Sequence, residues 1–396
     1  MQNKKICVIG LGYIGLPTAT ILANHGFNVV GVDVVESVVN SVNAGKTHIV
    51  EPKLHEYVEK VVNNGKLSAS LVPEKSDIFI IAVPTPFKEN HEPDLTYINQ
   101  AVDSIAPLIK DGNCIILEST SPIGTTQKIE KKLTSKGVDS RNIHIGYCPE
   151  RVLPGNIMHE LIENDRIVGG TTESSTSKIV DFYNSFVNGS VYGTSSEVAE
   201  MVKLIENSYR DVNIAFANEL SIICDDMNID VNETIDLANK HPRVDILNPG
   251  VGVGGHCIAV DPWFIINANK KNTKIIKVAR EINLFKTEWV LQKIEREIAT
   301  FTKKNNKSPL VACLGISYKP NIDDLRESPA LLIVEKLIDM NHDIIVVEPN
   351  IDYHKNLTLV HTEHAVKNAD IIIVLVDHKE FVNIKSERLL DFSGAK

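Results

Sequence analysis

The chain opens on a short apolar run, Lys5–Ile9, with the β-rich content of a strand. Glycines at 10, 12 and 15 follow, then a helix-compatible stretch over 16–25, so that a helix is expected to begin near Tyr13. Gly26 ends that helix, and residues 27–32 repeat the strand pattern up to Asp33. Further strand-like runs stand at 78–83, 114–118 and 143–147, separated by helical patterns. Strands alternating with helices predict a parallel sheet covered on both faces. The pattern then changes. From residue 195 to 228 there is no glycine or proline, and Val198, Met201, Leu204, Ile205, Tyr209 and Val212 recur at helical spacing. That predicts one long helix, of the kind that joins domains or forms a dimer seam, and residues 272–302 predict a second.

The last hundred residues restart the first pattern, with a strand at Leu310–Leu314, a turn at Gly315, a helix over 328–340 and a strand over 343–348. The run at 369–376 echoes the one at 76–83. One reading is a second copy of a nucleotide-binding layout; the other is that any buried strand looks like this. The expected architecture is α/β, two Rossmann-like doubly wound domains joined by a long-helix central region. The expected boundaries are 1–194, 195–302 and 303–396.

Length and composition narrow the function. The 396 residues fit two or three domains at roughly 100–200 each. Apolar residues at 43% and charged residues at 23% are those of a globular chain, not a disordered or fibrous one. Lys and Arg total 41 against 51 Asp and Glu, a net charge of −10, whereas duplex binding needs a basic surface to release counterions. Nucleic acid is therefore not an expected partner. A phosphorylated small molecule is not excluded, because a few local arginines suffice to hold it. No apolar run approaches the ~20 residues of a membrane span, so no membrane partner is expected either. Lys4 and Lys5 before an apolar stretch resemble the start of a secretory leader, but the glycines at 10, 12 and 15 interrupt it. The six cysteines (7, 114, 148, 224, 257, 313) form no C-x-x-C pair, which suggests free thiols, a cytoplasmic protein and no metal site.

The glycine turn carries the first chemistry. Gly10 permits a tight turn, Gly12 close approach of the backbone to a pyrophosphate, and Gly15 close helix–strand packing. The helix that follows offers N–H groups to phosphates. Asp33 stands 18 residues beyond Gly15, at the end of the second strand, where a carboxylate accepts from ribose hydroxyls. It would repel a 2′-phosphate, and Val34 and Val35 supply no arginine, so NAD is expected rather than NADP. Thr85, between Pro84 and Pro86, stands where a loop would flank the cofactor.

The second chemistry lies at residues 248–257, where glycines at 250, 252, 254 and 255 lead into Cys257, with Asp261 four residues on. Two readings fit. A thiol beside loop amides or a helix N-terminus has its thiolate favoured and becomes a nucleophile. A buried cysteine after a flexible turn is the common alternative. On the long central helix, Lys203, Asn207 and Arg210 stand at i, i+4 and i+7, within about 60° of one another. Such a stripe is either a solvated face or a site for oxyanions and sugar hydroxyls.

These residues and the strings around them resemble the UDP-glucose/GDP-mannose dehydrogenase family along essentially the whole chain. The matching strings are GLGYIGLP at 10–17, AVPTPF at 82–87, ESTSPIG at 118–124 and YCPERVLPG at 147–155. ENSYRDVNIAFANE at 206–219, HPRV at 241–244, GVGGHCIAVDP at 252–262 and KPNIDDLRESPA at 319–330 complete them. The resemblance implies oxidation of the C6 hydroxymethyl of a UDP-sugar to a carboxylate with two NAD per turnover, in surface polysaccharide precursor synthesis. It implies Cys257 as nucleophile, Lys203 as general acid/base, Asn207 at the reacting oxygen, and Thr120, Glu150 and Asp261 as groups that order water. By the same matching, Arg151, Val152, Lys203, Asn207, Arg210, His241, Arg243, Gly254, Tyr318 and Lys319 are substrate contacts. Gly10, Gly12, Tyr13, Ile14, Gly15, Asp33, Thr85, Thr126 and Arg326 are NAD contacts. A homodimer is implied, with Arg243 reaching the partner's pocket. UDP-glucose members carry a lysine where this chain has Val260, which points instead to UDP-N-acetylmannosamine, with UDP-N-acetylglucosamine and UDP-N-acetylgalactosamine as alternatives. Relatives also carry a basic residue near the position of Ser393, which implies one substrate contact fewer there.

Overall fold

The computed structural model describes residues 4–88 and 91–394. They form two compact units that divide between Ile205 and Glu206. The first contains β1 (Lys5–Ile9), α1 (Gly15–Asn24), β2 (Asn28–Val32), α2 (Glu36–Asn43), α3 (Leu54–Asn63), β3 (Leu67–Ser70) and β4 (Ile78–Ile81). It continues with α4 (Thr96–Ile105), β5 (Cys114–Leu117), α5 (Thr125–Ser135), β6 (His144–Tyr147), α6 (Ile157–Glu163), β7 (Arg166–Gly170), α7 (Glu173–Tyr183) and β8 (Val191–Ser195). The helix α8 (Ser196–Asp226) then runs through the division.

The eight strands form one sheet in the order β3-β2-β1-β4-β5-β6-β7-β8. The strand order reverses between β1 and β4, and open α/β sheets take ligands beyond the carboxyl ends of the strands at that crevice. Successive strand residues face opposite layers. Ile6, Val8, Ile78 and Ile80 join the core built with α1, α3, α6 and α7. Cys7, Ile9, Phe79 and Ile81 join the one built with α4 and α5. Burial on both faces explains why these strands read as unbroken apolar runs.

Helix α1 is bounded at Gly15, and its first bonds, from Leu16 N–H to Gly12 O and from Thr18 N–H to Ile14 O, already begin in the turn, close to the expected start near Tyr13. One detail differs from expectation: the sheet is not wholly parallel. β1 to β6 are, but β7 runs antiparallel to β6, pairing Gly146 with Gly170, and β8 then runs parallel to β7. The Arg166 side chain at the head of β7 bonds Glu150, just after β6, and the Leu161 carbonyl, tying the returning chain to the edge it had just left.

The second unit holds α9 (Val231–Ala238), α10 (Asp261–Ala268) and α11 (Lys274–Asn305), then β9 (Leu310–Leu314), α12 (Pro329–Asp339) and β10 (Asp343–Val347). It ends with α13 (Thr362–Asn368), β11 (Ile371–Val374) and β12 (Leu389–Asp391). The four strands are parallel in the order β10-β9-β11-β12. Val311, Cys313, Ile371 and Ile373 face α11 and α12, while Ala312, Leu314, Ile372 and Val374 face α13.

The echo between the two halves is structural. Gly10 N–H bonds the Val32 carbonyl and Gly315 N–H the Val347 carbonyl, each at 2.8 Å. Both glycines have positive φ, +92° and +86°. Strand β4 pairs with β1 as β11 pairs with β9. The two long helices appear where the glycine-free stretches predicted them. Among the described residues no helix is long and apolar enough to cross a membrane.

Candidate active site

In the first unit the site is built on the turn after β1. A Cβ on Gly10 would lie 2.6 Å from the Ala82 carbonyl oxygen, and one on Gly15 only 1.8 Å from that of Gly10, so packing requires both glycines. A Cβ on Gly12 would meet nothing within 4 Å. Its lack of a side chain therefore serves no neighbour in the protein and leaves room above the turn for a phosphate. Asp33 follows β2 and accepts Leu11 N–H through Oδ2 and Val35 N–H through Oδ1, both at 3.0 Å. Each oxygen keeps a lone pair for a ribose hydroxyl. Ile14 is half-buried and Tyr13 exposed. These residues fit a dinucleotide.

The Thr85 hydroxyl donates to the Thr120 carbonyl at 2.6 Å, joining the loops after β4 and β5. Thr126 is fully buried, and its N–H and hydroxyl both go to Glu200 Oε1, at 2.8 and 2.6 Å. Its hydroxyl is thus committed inside the protein, and the residue contributes the placement of the N-terminus of α5.

Glu150 is buried and Thr120 half-buried. Its Oε2 pairs with Arg166 Nη1 at 2.8 Å and its Oε1 accepts Arg151 N–H at 2.7 Å, so the carboxylate is held rigidly. The Lys203 ammonium donates to the Glu150 carbonyl at 2.9 Å, fixing a lysine of α8 to the same loop. Arg151 reaches the Asp165 carbonyl at 3.2 Å, and Val152 packs against the core. Behind them Glu118 is enclosed, accepting from Tyr183 Oη at 2.8 Å and from Thr18 Oγ1 at 3.3 Å. Burial, then the nearby Glu150 charge, push its carboxyl up to about 7, against the pull of Arg166.

In the second unit Cys257 precedes α10, and its carbonyl accepts the N–H groups of Val260 and Asp261 at 3.0 and 2.8 Å. Five of the six cysteines are buried; Cys257 is not. Asn207 Nδ2 donates to Asp261 Oδ2 at 2.5 Å, linking α8 to the first residue of α10. The glycine loop lies against the loop after β9. A Cβ on Gly254 would stand 2.7 Å from Tyr318 Cβ, and one on Gly255 2.8 Å from the Tyr318 ring. Gly255 N–H bonds the Arg326 carbonyl at 3.0 Å, and the Arg326 guanidinium grips Asp324. Lys319 is exposed nearby in sequence, and Arg210 is exposed on α8. His241 and Arg243 stand on the exposed turn after α9. Ser393 N–H and Oγ both bond Asp391.

Three family profiles match in order: the UDP-glucose/GDP-mannose dehydrogenase family's NAD binding domain over residues 4–187, its central domain over 197–284 and its UDP binding domain over 312–395. The chain belongs to this family. It is 52% identical to a UDP-N-acetyl-D-mannosamine dehydrogenase of Campylobacter jejuni, with 99% of each chain covered. It is 46% identical to an NDP-N-acetyl-D-galactosaminuronic acid dehydrogenase of Ralstonia nicotianae, covering 98% of this chain and 93% of that one. The solved UDP-D-ManNAc dehydrogenase of Pyrococcus horikoshii superposes with a TM-score of 0.90 at 37% identity, over 99% of this chain and 96% of that one. The protein is an NAD-dependent dehydrogenase, and the Gly10 turn with Asp33 lies inside the NAD binding domain.

With the family in hand, the residues that motif reading passed over form a supporting layer. Glu200 accepts Gly124 N–H at 2.5 Å as well as both Thr126 groups, placing a carboxylate at the positive end of α5. Arg166, the first residue of β7, is buried and pairs with Glu150. Asp211, Asn218, Arg280 and Asn283 are buried and bonded between α8 and α11. A signal for them existed: polar residues recur at helical spacing along two long helices.

Proposed function

We propose that the protein oxidises the C6 hydroxymethyl of UDP-N-acetyl-D-mannosamine to the carboxylate, through a covalent adduct on Cys257. The observation that carries the covalent route is Cys257 itself, the one cysteine of six that is not buried, set where a glycine loop meets a helix N-terminus. The choice of sugar rests on the likeness to the Campylobacter protein. The Ralstonia relative favours a second reading, an N-acetylgalactosamine epimer, since the C2 and C4 configurations are set by directions of bonds that the same residue types can serve.

In this reading Lys203 takes the alcohol proton as the first two electrons leave the substrate, and Asn207 holds the reacting oxygen. Bound NAD supplies the two-electron acceptor for each oxidation. The Cys257 thiolate adds to the aldehyde carbon and Lys203 returns its proton to the oxygen, giving a thiohemiacetal that keeps the intermediate on the protein. Loss of a hydride from that carbon and of the hydroxyl proton, again to Lys203, gives a thioester. Water ordered by Thr120, Glu150 and Asp261 attacks it, the C–S bond breaks and the thiolate is restored. Lys203 stabilises the oxyanion of each adduct. The sugar nucleotide is held by Arg151, Val152, Arg210, His241, Arg243, Gly254, Tyr318 and Lys319, and Arg326 completes the cofactor contacts.

The reading extends to organisation. Residues 1–194 carry NAD, 195–302 the cysteine loop and the dimer seam, and 303–396 the UDP moiety. Met201, Ile205, Tyr209, Phe216 and Ile223 are exposed on α8 and fall within about 80° of one another, a stripe running about 33 Å at 1.5 Å per residue. That stripe supports a homodimer, with Arg243 serving the partner's pocket. The free cysteines fit a reducing cytoplasm.

The test offers the purified protein each UDP-N-acetylhexosamine with NAD and follows NADH. About two NADH per sugar is expected, fastest with the mannosamine epimer, and Cys257→Ala should collapse the rate while still binding both ligands. If Cys257→Ala makes the uronic acid at a comparable rate with two NADH per turnover, the covalent route is wrong.

A further inference from the structure

A loop with four glycines in six residues has little stiffness of its own, because each glycine gives up much backbone freedom on ordering. The loop that carries Cys257 is nevertheless fastened at both ends by one run of buried side chains. At its start, Gly250 N–H donates to Asn218 Oδ1 at 2.9 Å and the Thr287 hydroxyl donates to the Val251 carbonyl at 2.9 Å. At its end, Arg280 Nη1 donates to the Ile258 carbonyl at 3.4 Å, one residue past the candidate nucleophile. The two ends are connected. Asn218 Nδ2 donates to Asn283 Oδ1 at 2.9 Å, Asn283 Nδ2 donates to Asp211 Oδ1 at 2.8 Å, and that same oxygen pairs with Arg280 Nη1 at 2.7 Å.

All of this is enclosed. Asp211 and Asn218 are 0% exposed, Asn283 1% and Arg280 2%. A buried ion pair is a poor source of stability against well-packed apolar side chains, since both charges lose their hydration. What it provides well is a fixed direction. On α8, Asn207, Asp211 and Asn218 fall within about 40° of one another at 100° per residue, so the helix face that meets Asp261 through Asn207 also carries the anchor of the loop.

We propose that Asp211 and Arg280, continued by Asn283 and Asn218, are positioning residues that hold the Cys257 thiol where it captures the aldehyde before the aldehyde escapes. This rests on the reading of Cys257 as nucleophile. Its signature is a leak: with the loop loosened, the first two-electron oxidation proceeds, and the aldehyde leaves instead of forming the C–S bond.

The test compares the full-length protein with Asp211→Asn and Arg280→Lys. The lysine retains a positive charge for Asp211 but lacks the planar guanidinium whose Nη1 is directed at both Asp211 and the Ile258 carbonyl, so it separates positioning from charge pairing. UDP-N-acetyl-D-mannosamine and NAD are supplied with hydroxylamine to trap free aldehyde, and iodoacetamide labelling of the Cys257 peptide is timed by mass spectrometry. In each folded variant we expect trapped aldehyde in at least a tenth of turnovers, fewer than two NADH per sugar, a labelling rate changed at least fivefold and an NAD KM within twofold of the unaltered protein. If Asp211→Asn does not fold, Arg280→Lys carries the test. Full two-NADH turnover with no trapped aldehyde and unaltered labelling in Arg280→Lys overturns the proposal. Cys257→Ala separates the two levels: continued acid formation there removes the nucleophile reading itself, whereas its loss beside an unaltered Arg280→Lys removes only the positioning role.

Discussion

Asp33 Oδ2 accepts the Leu11 N–H at 3.0 Å, so the carboxylate placed to read a ribose also braces the glycine turn that receives the pyrophosphate. Removing its charge while keeping its shape separates these duties. In Asp33→Asn the repulsion of a 2′-phosphate is gone, but one amide oxygen cannot serve both the Leu11 and Val35 N–H groups. The expected outcome is a narrower gap between NAD and NADP, with NAD efficiency also reduced. Equal kcat/KM of the unaltered protein with both cofactors would sink the assignment.

Glu118 makes stability depend on pH. Its folded carboxyl stands at about 7 against an ordinary 4.5, chiefly because it is buried. A raised folded value means the native state holds the extra proton, so this contribution is fully present below pH 4.5 and lost as pH rises through about 7. The difference, 7 − 4.5, is about 2.5 units and corresponds to on the order of 3 kcal/mol at 1.36 kcal/mol per unit. Glu118→Gln keeps an acceptor for Tyr183 and cannot ionise. Urea unfolding at pH 5 and pH 8 should show a smaller loss in the variant. Identical pH dependence in the two proteins would remove Glu118 from this role.

Glu200 accepts three hydrogen bonds from Gly124 and Thr126. Glu200→Ala leaves buried donors without their acceptor, at about 1–3 kcal/mol each at most. It should lower the unfolding midpoint and raise the NAD KM, because the loop after β5 and the start of α5 lose their fixed position. A lowered midpoint with an unaltered NAD KM would make Glu200 purely structural.

Arg243 is exposed on the turn after α9, and Tyr209 is 72% exposed on α8. If Arg243 serves the partner's pocket, Arg243→Ala should raise the sugar KM about tenfold or more, as loss of a charge-assisted bond of roughly 1.5–3 kcal/mol implies, while the NAD KM stays level. A charge in the apolar stripe, Tyr209→Glu with Phe216→Glu, should give an inactive monomer by sedimentation. An active monomer would refute the shared pocket.

Much of this was legible in the residues. The β1 turn reads correctly because its glycines answer local demands: Gly10 for a positive φ and Gly15 for contact with Gly10. The long helices were legible because an uninterrupted stretch needs no partner to declare its period. The antiparallel step at β7 was not, since the buried pair that ties it, Arg166 with Glu150, joins residues sixteen apart in sequence. The two readings of Cys257 were not separable along the chain, and only the fold shows that it, unlike the other five cysteines, is not buried.

The general division follows from range. Strand and helix periods, the glycine turns, and the acidic residue closing β2 are properties of neighbours along the chain, and the local backbone expresses them wherever the segment is placed. Whether Thr126 offers its hydroxyl outward or spends it on Glu200 is settled by a group brought in from 74 residues away, and the raised carboxyl of Glu118 comes from its burial and from the Glu150 charge brought beside it. Those contacts exist only once the core has closed, because only then does the loss of water make each pairing, or each unpaired charge, costly enough to choose between alternatives.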